Sequence, residues 1–349
     1  MSDNTSDEEQ QQQMQEISIC ADIWLDVFAL LSPLELGLKM ALISDRFDRL
    51  VDEHFKTRKW SLGWIGLRRA TEGNAALIVS DRTVGLPIPQ IAIRGKVINF
   101  KNIEISYIDR SAIEFLQRLR RLFDFSGTTV AIATSDDQNR SWDIIRQEIW
   151  PLINDNIRHL RVHASQLDRL RQLSPTILHS CAKLQSIDGL FPVFPADDNA
   201  NASSNQAVAK WLLTRRGDDL PKLLHCNYSG GGMEELTRAF VNDSKRANFI
   251  ICLTPYILGH VRWAAFWAMT VPLFELTNNF TRERLTFRRE GWPWLLVRCP
   301  IERDEDQWAV WEREAIELQG SRQWNCITIH FNDMDIGDGM LDANDGRPQ

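Results

Sequence analysis

The chain has 349 residues, 44% hydrophobic and 25% charged, the composition of a folded protein with one large domain or two ordinary ones. Its net charge of −7 leaves no basic excess to neutralise a phosphate backbone, and no Lys/Arg-rich run is present, which argues against a nucleic-acid partner. The cysteines, at 20, 181, 226, 252, 299 and 326, form no CxxC pair and follow no signal peptide, so reduced thiols in the cytoplasm or nucleus are expected.

Residues 1–16, MSDNTSDEEQQQQMQE, carry two methionines as their only apolar side chains and are expected to be a disordered tail, because so little burial cannot offset the entropy of ordering. Structure is expected from Ile17. Residues 22–60 read as three short helices, within a first domain of 17–60. On a helical wheel Ile23, Trp24, Val27, Phe28, Leu30 and Leu31 span roughly 160°, wider than the stripe of about 100° that one packed face needs. A helix this apolar has to be covered on two sides. The second helix has complete start signals: Ser32 as N-cap, Pro33 at the first position, Glu35 closing an S-x-x-E capping box, and Leu31 and Leu36 at the staple positions. A third helix is expected from about Ser44 to Lys56, with Phe47, Leu50, Val51, His54 and Phe55 on one stripe.

Residues 61–100 show weaker patterning and are expected to be a connecting segment, with turn signals at Thr71–Asn74 and around Pro87 and Pro89. From 101 to 331 short β-rich runs alternate with helical ones, an α/β signature. NIEISYI, TTVAIAT and IRHLRV read as strands; RSAIEFLQRLRRLFDF, RSWDIIRQEIWPLI and a segment up to Cys181 read as helices. The strand spacing and the run Leu178–Ile187, L-x-x-C-x-x-L-x-x-L, resemble leucine-rich-repeat units, so this domain is expected to be irregular, α/β and repeat-like. Cys226, Cys252, Cys299 and Cys326 fall in or beside its strands. Residues 194–206 read as a loop, Asp304–Leu318 as a helix with Trp308, Trp311, Ala315 and Ile316 on one stripe, Cys326–Phe331 as a strand, and 332–349 as a disordered tail.

The run from Ile19 to Leu36, followed by Ile43–Val51 and Trp60, resembles the F-box motif without a gap, most closely in the manner of the expanded F-box families of nematodes. The motif's usual Leu-Pro start is Ile19-Cys20 here, and its acidic residue is Asp22. The resemblance implies an α+β protein in which a trihelical F-box docks on the Skp adaptor of a cullin-RING (SCF) ubiquitin ligase. The remaining domain would present a protein substrate, and catalysis would lie with other subunits. Ile19, Cys20, Ile23, Trp24, Val27, Phe28, Pro33, Leu36, Ile43 and Phe47 would form or border the adaptor surface. The alternative is a scaffolding protein whose F-box-like helices hold a partner outside any ligase.

Other motifs carry little chemistry. Ser229-Gly-Gly-Gly-Met233 lacks the Lys-Ser/Thr of a phosphate loop and reads as a flexible loop. His159 and His163 have no third ligand nearby and would share one face of a strand. DMDIGDG, 333–339, lacks the pattern of a calcium loop. No nucleophile elbow or dinucleotide fingerprint is present, so no catalytic residue, metal or cofactor is expected. Trp263–Phe274 is too short to span a bilayer. Seven tryptophans of the last third, Trp263 to Trp324, are core side chains or partner anchors. The substrate surface is not assigned.

Overall fold

The computed structural model describes residues 19–56, 59–81, 83–89, 97–124, 127–254, 272–289, 293–318 and 325–340. The expected tail 1–16 and most of the window 263–274 lie outside them. The chain divides into two compact units, residues 1–60 and 61–349. No helix among the described residues is long and apolar enough to cross a membrane.

The first unit is helical: α1 (Ala21–Phe28), α2 (Pro33–Leu38), a 3-10 turn (Met40–Leu42) and α3 (Asp45–Lys56). The turn into α2 is specified locally, as its sequence predicts. The Ser32 hydroxyl accepts from the Glu35 N–H at 3.2 Å, and the Ser32 N–H donates to Glu35 Oε2 at 3.0 Å, so two donors that a helix start would leave unpaired are satisfied reciprocally. Ser32→Ala is expected to cost about 1 kcal/mol, seen as roughly fivefold faster hydrogen exchange of the α2 amides in the full chain. At the head of α3 the Ser44 hydroxyl accepts from the Phe47 N–H at 3.4 Å. Phe28 is buried among rings, 6.2 Å from Trp24, 6.2 Å from Phe47 and 5.9 Å from His54, edge-on to the last.

Among the described residues the second unit is built on a mixed sheet of thirteen strands. In chain order these are β1 (Trp64–Arg69), β2 (Ala76–Ser80), β3 (Thr83–Pro87), β4 (Asn102–Ile105), β5 (Thr128–Ile132), β6 (Ile157–Arg161), β7 (Ser186–Asp188), β8 (Lys222–Asn227), β9 (Phe249–Thr254), β10 (Phe274–Asn278), β11 (Glu283–Arg288), β12 (Trp294–Pro300) and β13 (Cys326–Ile329). Strands β5 to β9 are neighbours in chain order and all parallel. Such pairs need crossovers, and helices fill these: α5 (Asn139–Ile144) and α6 (Trp150–Ile153) joined by a π turn, α7 (Ala164–Arg171), α8 (Ile177–Ser180), α9 (Ser204–Leu213) and α10 (Gly230–Asn242). The π turn, Ile145–Ile149, ends two residues before Pro151, which has no N–H to donate. At one end β10, β11 and β12 close the sheet antiparallel onto β9; at the other β1, β2 and β3 form an antiparallel meander.

The step from β4 to β5, through α4 (Arg110–Asp124), skips one place, and β13 fills it. Ile327 pairs with Ile103 on one side and Val130 on the other, both parallel. Ile103, Val130 and Ile327 are all fully buried, so the last strand of the chain lies in the middle of the core. Asn325 enters it in the left-handed region, φ 56°, a conformation asparagine tolerates better than most residues. Helix α11 (Glu305–Leu318) packs Trp308, Trp311, Ala315 and Ile316 on Leu223, Ile250, Cys252, Val297 and Cys299, the stripe predicted for it. Lys222, of opposite parity to Leu223, reaches Trp211 of α9 on the other face. The described helices therefore cover both faces of the sheet at this point.

Four sequence expectations are corrected. Residues 61–100 are not merely connecting: they supply β1, β2 and β3, with the expected turn at 71–74 between β1 and β2. The tail reading fails for 332–340, which forms a 3-10 turn and then joins the sheet: Ile108 N–H donates to Asp335 O at 3.0 Å and Gly337 N–H to Ile108 O at 2.7 Å; residues 341–349 lie outside the described part. The glycine run after Ser229 is not a loop but the first turn of α10, capped by the Ser229 hydroxyl, which accepts from Gly232 N–H at 3.3 Å. A Cβ on Gly232 would lie 2.4 Å from the Phe191 ring, so close packing requires glycine there. The 194–206 loop ends at Ser203, whose capping box with Gln206 starts α9.

Candidate functional site

The surface features of the first unit come from the arc that made α1 too apolar. Phe28, 0% exposed, faces inward, and Trp24 lies half-buried with its ring edge against Phe47 at 4.7 Å. On the other side Ile23 is 54% exposed and Val27, one turn on, 37%. Leu30, Leu42 and Ile43 are also exposed. Scattered apolar residues on a surface need no explanation, and Ile23 and Val27 stand out only because, four residues apart, they share one face of α1. Arg46 donates to the Ile19 carbonyl at 2.6 Å, tying the start of α1 to α3.

The ten predicted adaptor-facing residues thus divide. Cys20, Ile23, Val27 and Ile43 are exposed; Ile19, Trp24, Pro33 and Phe47 are half-buried at the border. Phe28 and Leu36 are fully buried and cannot touch a partner, because the helix periodicity turns them into the unit's interior. Leu30 and Leu42 are exposed aliphatics absent from the predicted set. Leu30, seven residues after Ile23, was within reach of the helical wheel; Leu42 lies in a 3-10 turn with no sequence signal for its facing.

In the second unit the titratable groups read as structural. Burial, then the neighbouring His225, lowers the His159 pKa to about 4, so its ring is neutral at physiological pH. His163 does not share a strand face with His159: it stands at the head of α7, its N–H donating to Gln166 Oε1 at 2.9 Å. Burial pushes the Cys181 and Cys252 thiols up to about 12 and the Cys226 thiol higher still, away from the thiolate that a nucleophile or metal ligand needs. Asp333 is occupied by the Ser141 N–H at 2.8 Å and hydroxyl at 2.9 Å. No group of three or more metal-ligating side chains occurs among the described residues. Trp294 and Trp308 are buried core side chains rather than anchors. No family model, curated protein or solved structure matches the chain.

Proposed function

We propose that residues 17–60 are an F-box that docks on the Skp adaptor of a cullin-RING ubiquitin ligase, and that the second unit is the receptor that presents a protein substrate. The observation that carries this reading is the exposed aliphatic ridge of α1, Ile23 and Val27, on a trihelical unit whose interior is already filled by Phe28 and Leu36. The ungapped motif from Ile19 to Leu36 and the intact Ser32–Glu35 box support it. The run of parallel strands β5 to β9, each reached through a helical crossover, is what a leucine-rich-repeat-like receptor would share; the cover of α9 and α11 on both faces of β8 departs from the open strand face of such repeats. The chain's contribution would be proximity: holding a substrate where its lysines meet a charged E2 at high effective concentration.

Co-expression with the Skp adaptor tests the reading. The wild-type pair is expected to co-purify, and Val27→Asp to weaken it at least about thirtyfold, since a carboxylate at a desolvated hot spot costs some 2 kcal/mol or more. Arg49→Ala, at an exposed site on α3, should change affinity less than about twofold. A wild-type chain that fails to bind the adaptor at micromolar concentration sinks the proposal. Recovery of cullin and RING subunits through the adaptor separates a ligase receptor from a scaffold.

A further inference from the structure

The loop between α9 and β8, together with α8, lines an open cleft of about 400 Å³. Arg215, Arg216 and Lys222 line it with one lining carboxylate, Asp218, while Asp219 of the same loop is ion-paired with Arg215, so Lys222 is the lining cation with no carboxylate partner among the described residues. Lys222 is the first residue of β8 and 5% exposed. Its ammonium lies 4.8 Å from the centre of the Trp211 ring and donates to the Trp211 carbonyl, so its polar partner is a neutral oxygen. Arg216 binds Asp218 at 2.6 Å, yet its Nη1 is buried with no hydrogen-bond partner. A second cleft, of about 350 Å³, shares Thr214 and Arg215 with the first and adds Lys210, Lys245 and Arg246. Its one carboxylate, Asp243, is held by Arg298 at 2.9 Å.

Burying an ammonium beside a guanidinium with an unused N–H is costly unless something anionic accompanies them. The chain as a whole carries −7, so this concentration of cations is local and not a reflection of composition. From the cleft, the buried ammonium and the unpartnered guanidinium nitrogen, we propose that this is a binding site for a doubly charged tetrahedral oxyanion, the phosphoryl group or its sulfate equivalent. Lys222 and Arg216 would bind the oxygens, and Arg215 would add charge at the mouth. The site lies within the second unit and stands whether or not the first unit is an F-box.

Proton linkage gives the site a signature. Burial, then Arg216, lowers the Lys222 pKa to about 7. The other groups around it are Arg215 with its partner Asp219, Asp218, Lys210, Cys181, and His179, which Asp198 holds at 3.1 Å and Thr214 at 3.0 Å. Burial lowers the His179 pKa below its ordinary value, against the pull of Asp198, and raises the Cys181 thiol to about 12. An anion binds the protonated lysine, so affinity is expected to be highest below pH 7 and to fall as pH rises through it. For sulfate, whose own charge is constant, the fall from pH 6 to pH 8 should be about tenfold.

Titration calorimetry of the full chain with sodium sulfate and inorganic phosphate tests this. Binding in the millimolar range or tighter at pH 6, with that pH dependence, is expected. Lys222→Met should remove the pH dependence and weaken sulfate at least tenfold, and Arg216→Gln should weaken it comparably, with thermal unfolding confirming that each variant is folded. A phosphoserine tripeptide that binds tighter than inorganic phosphate identifies a phosphorylated residue as the source; equal or weaker binding identifies a free anion. Absence of sulfate and phosphate binding at 10 mM, or binding unchanged in both variants, overturns the proposal.

Discussion

Replacing Arg298 by Leu is expected to destabilise the second unit by about 3–5 kcal/mol, the usual cost of stranding one half of a buried ion pair. Arg298 and Glu283 are both fully buried, on neighbouring strands β12 and β11. The guanidinium donates to Glu283 Oε2 at 2.7 and 3.1 Å, to Asp243 Oδ2 at 2.9 Å and to the Lys245 carbonyl at 2.6 Å, and its carbon lies 5.1 Å from the centre of the Phe240 ring. Glu283 also accepts from the Ala247 N–H at 2.9 Å. One cation therefore joins the β11–β12 pair to the segment between α10 and β9. Without it Glu283 keeps a buried charge with a single backbone donor. Urea denaturation measures the loss directly. Glu283→Leu combined with Arg298→Leu should cost at least 1 kcal/mol less than the two single losses added together, because the double variant buries neither charge. Strict additivity would show that the pair does not act as a unit.

Phe28→Ala should unfold the first unit. Truncating a fully buried phenylalanine costs about 3–5 kcal/mol, comparable with the whole stability of a unit of some forty residues. The expected result is loss of hydrogen-exchange protection throughout α1 and α3, and with it loss of adaptor binding. Val27→Asp, at the neighbouring but exposed position, should leave that protection unchanged and weaken binding alone. The contrast separates a side chain that builds the surface from one that forms it. Retained protection in Phe28→Ala would mean that the ring cluster with Trp24, Phe47 and His54 is not what holds the helices together.

The local signals of the sequence were strong where a few adjacent residues decide the conformation. The Ser32–Glu35 box is set by hydrogen bonds within one turn, and the Phe47–Phe55 stripe of α3, the stripe on α11 and the alternation at Cys326–Phe331 by side-chain periodicity; each is formed. The glycine run at 230–232 misled because three glycines carry no propensity signal for a helix. What makes it helical is the cap on Ser229 and the Phe191 ring packed against Gly232, neither visible in the run itself. Residues 332–340 misled for the same reason: a polar, glycine-bearing stretch is ordered only because β13 delivers it to Ile108.

By itself the sequence determined the α+β character, the three-helix start, the order of most strands and helices after residue 100, and the placing of Cys226, Cys252, Cys299 and Cys326 on strands, the first three of them buried and Cys326 half-buried. Only the tertiary structure decided which apolar residues of α1 face solvent, that 61–100 joins the sheet, and that the last strand lies between β4 and β5. It alone brought Lys222, Arg215 and Arg216 to one cleft and Arg298 to Glu283. Conformation follows from neighbours in the chain, whereas strand order, charge pairing and cavities depend on contacts between segments whose separation leaves no periodic trace in the sequence.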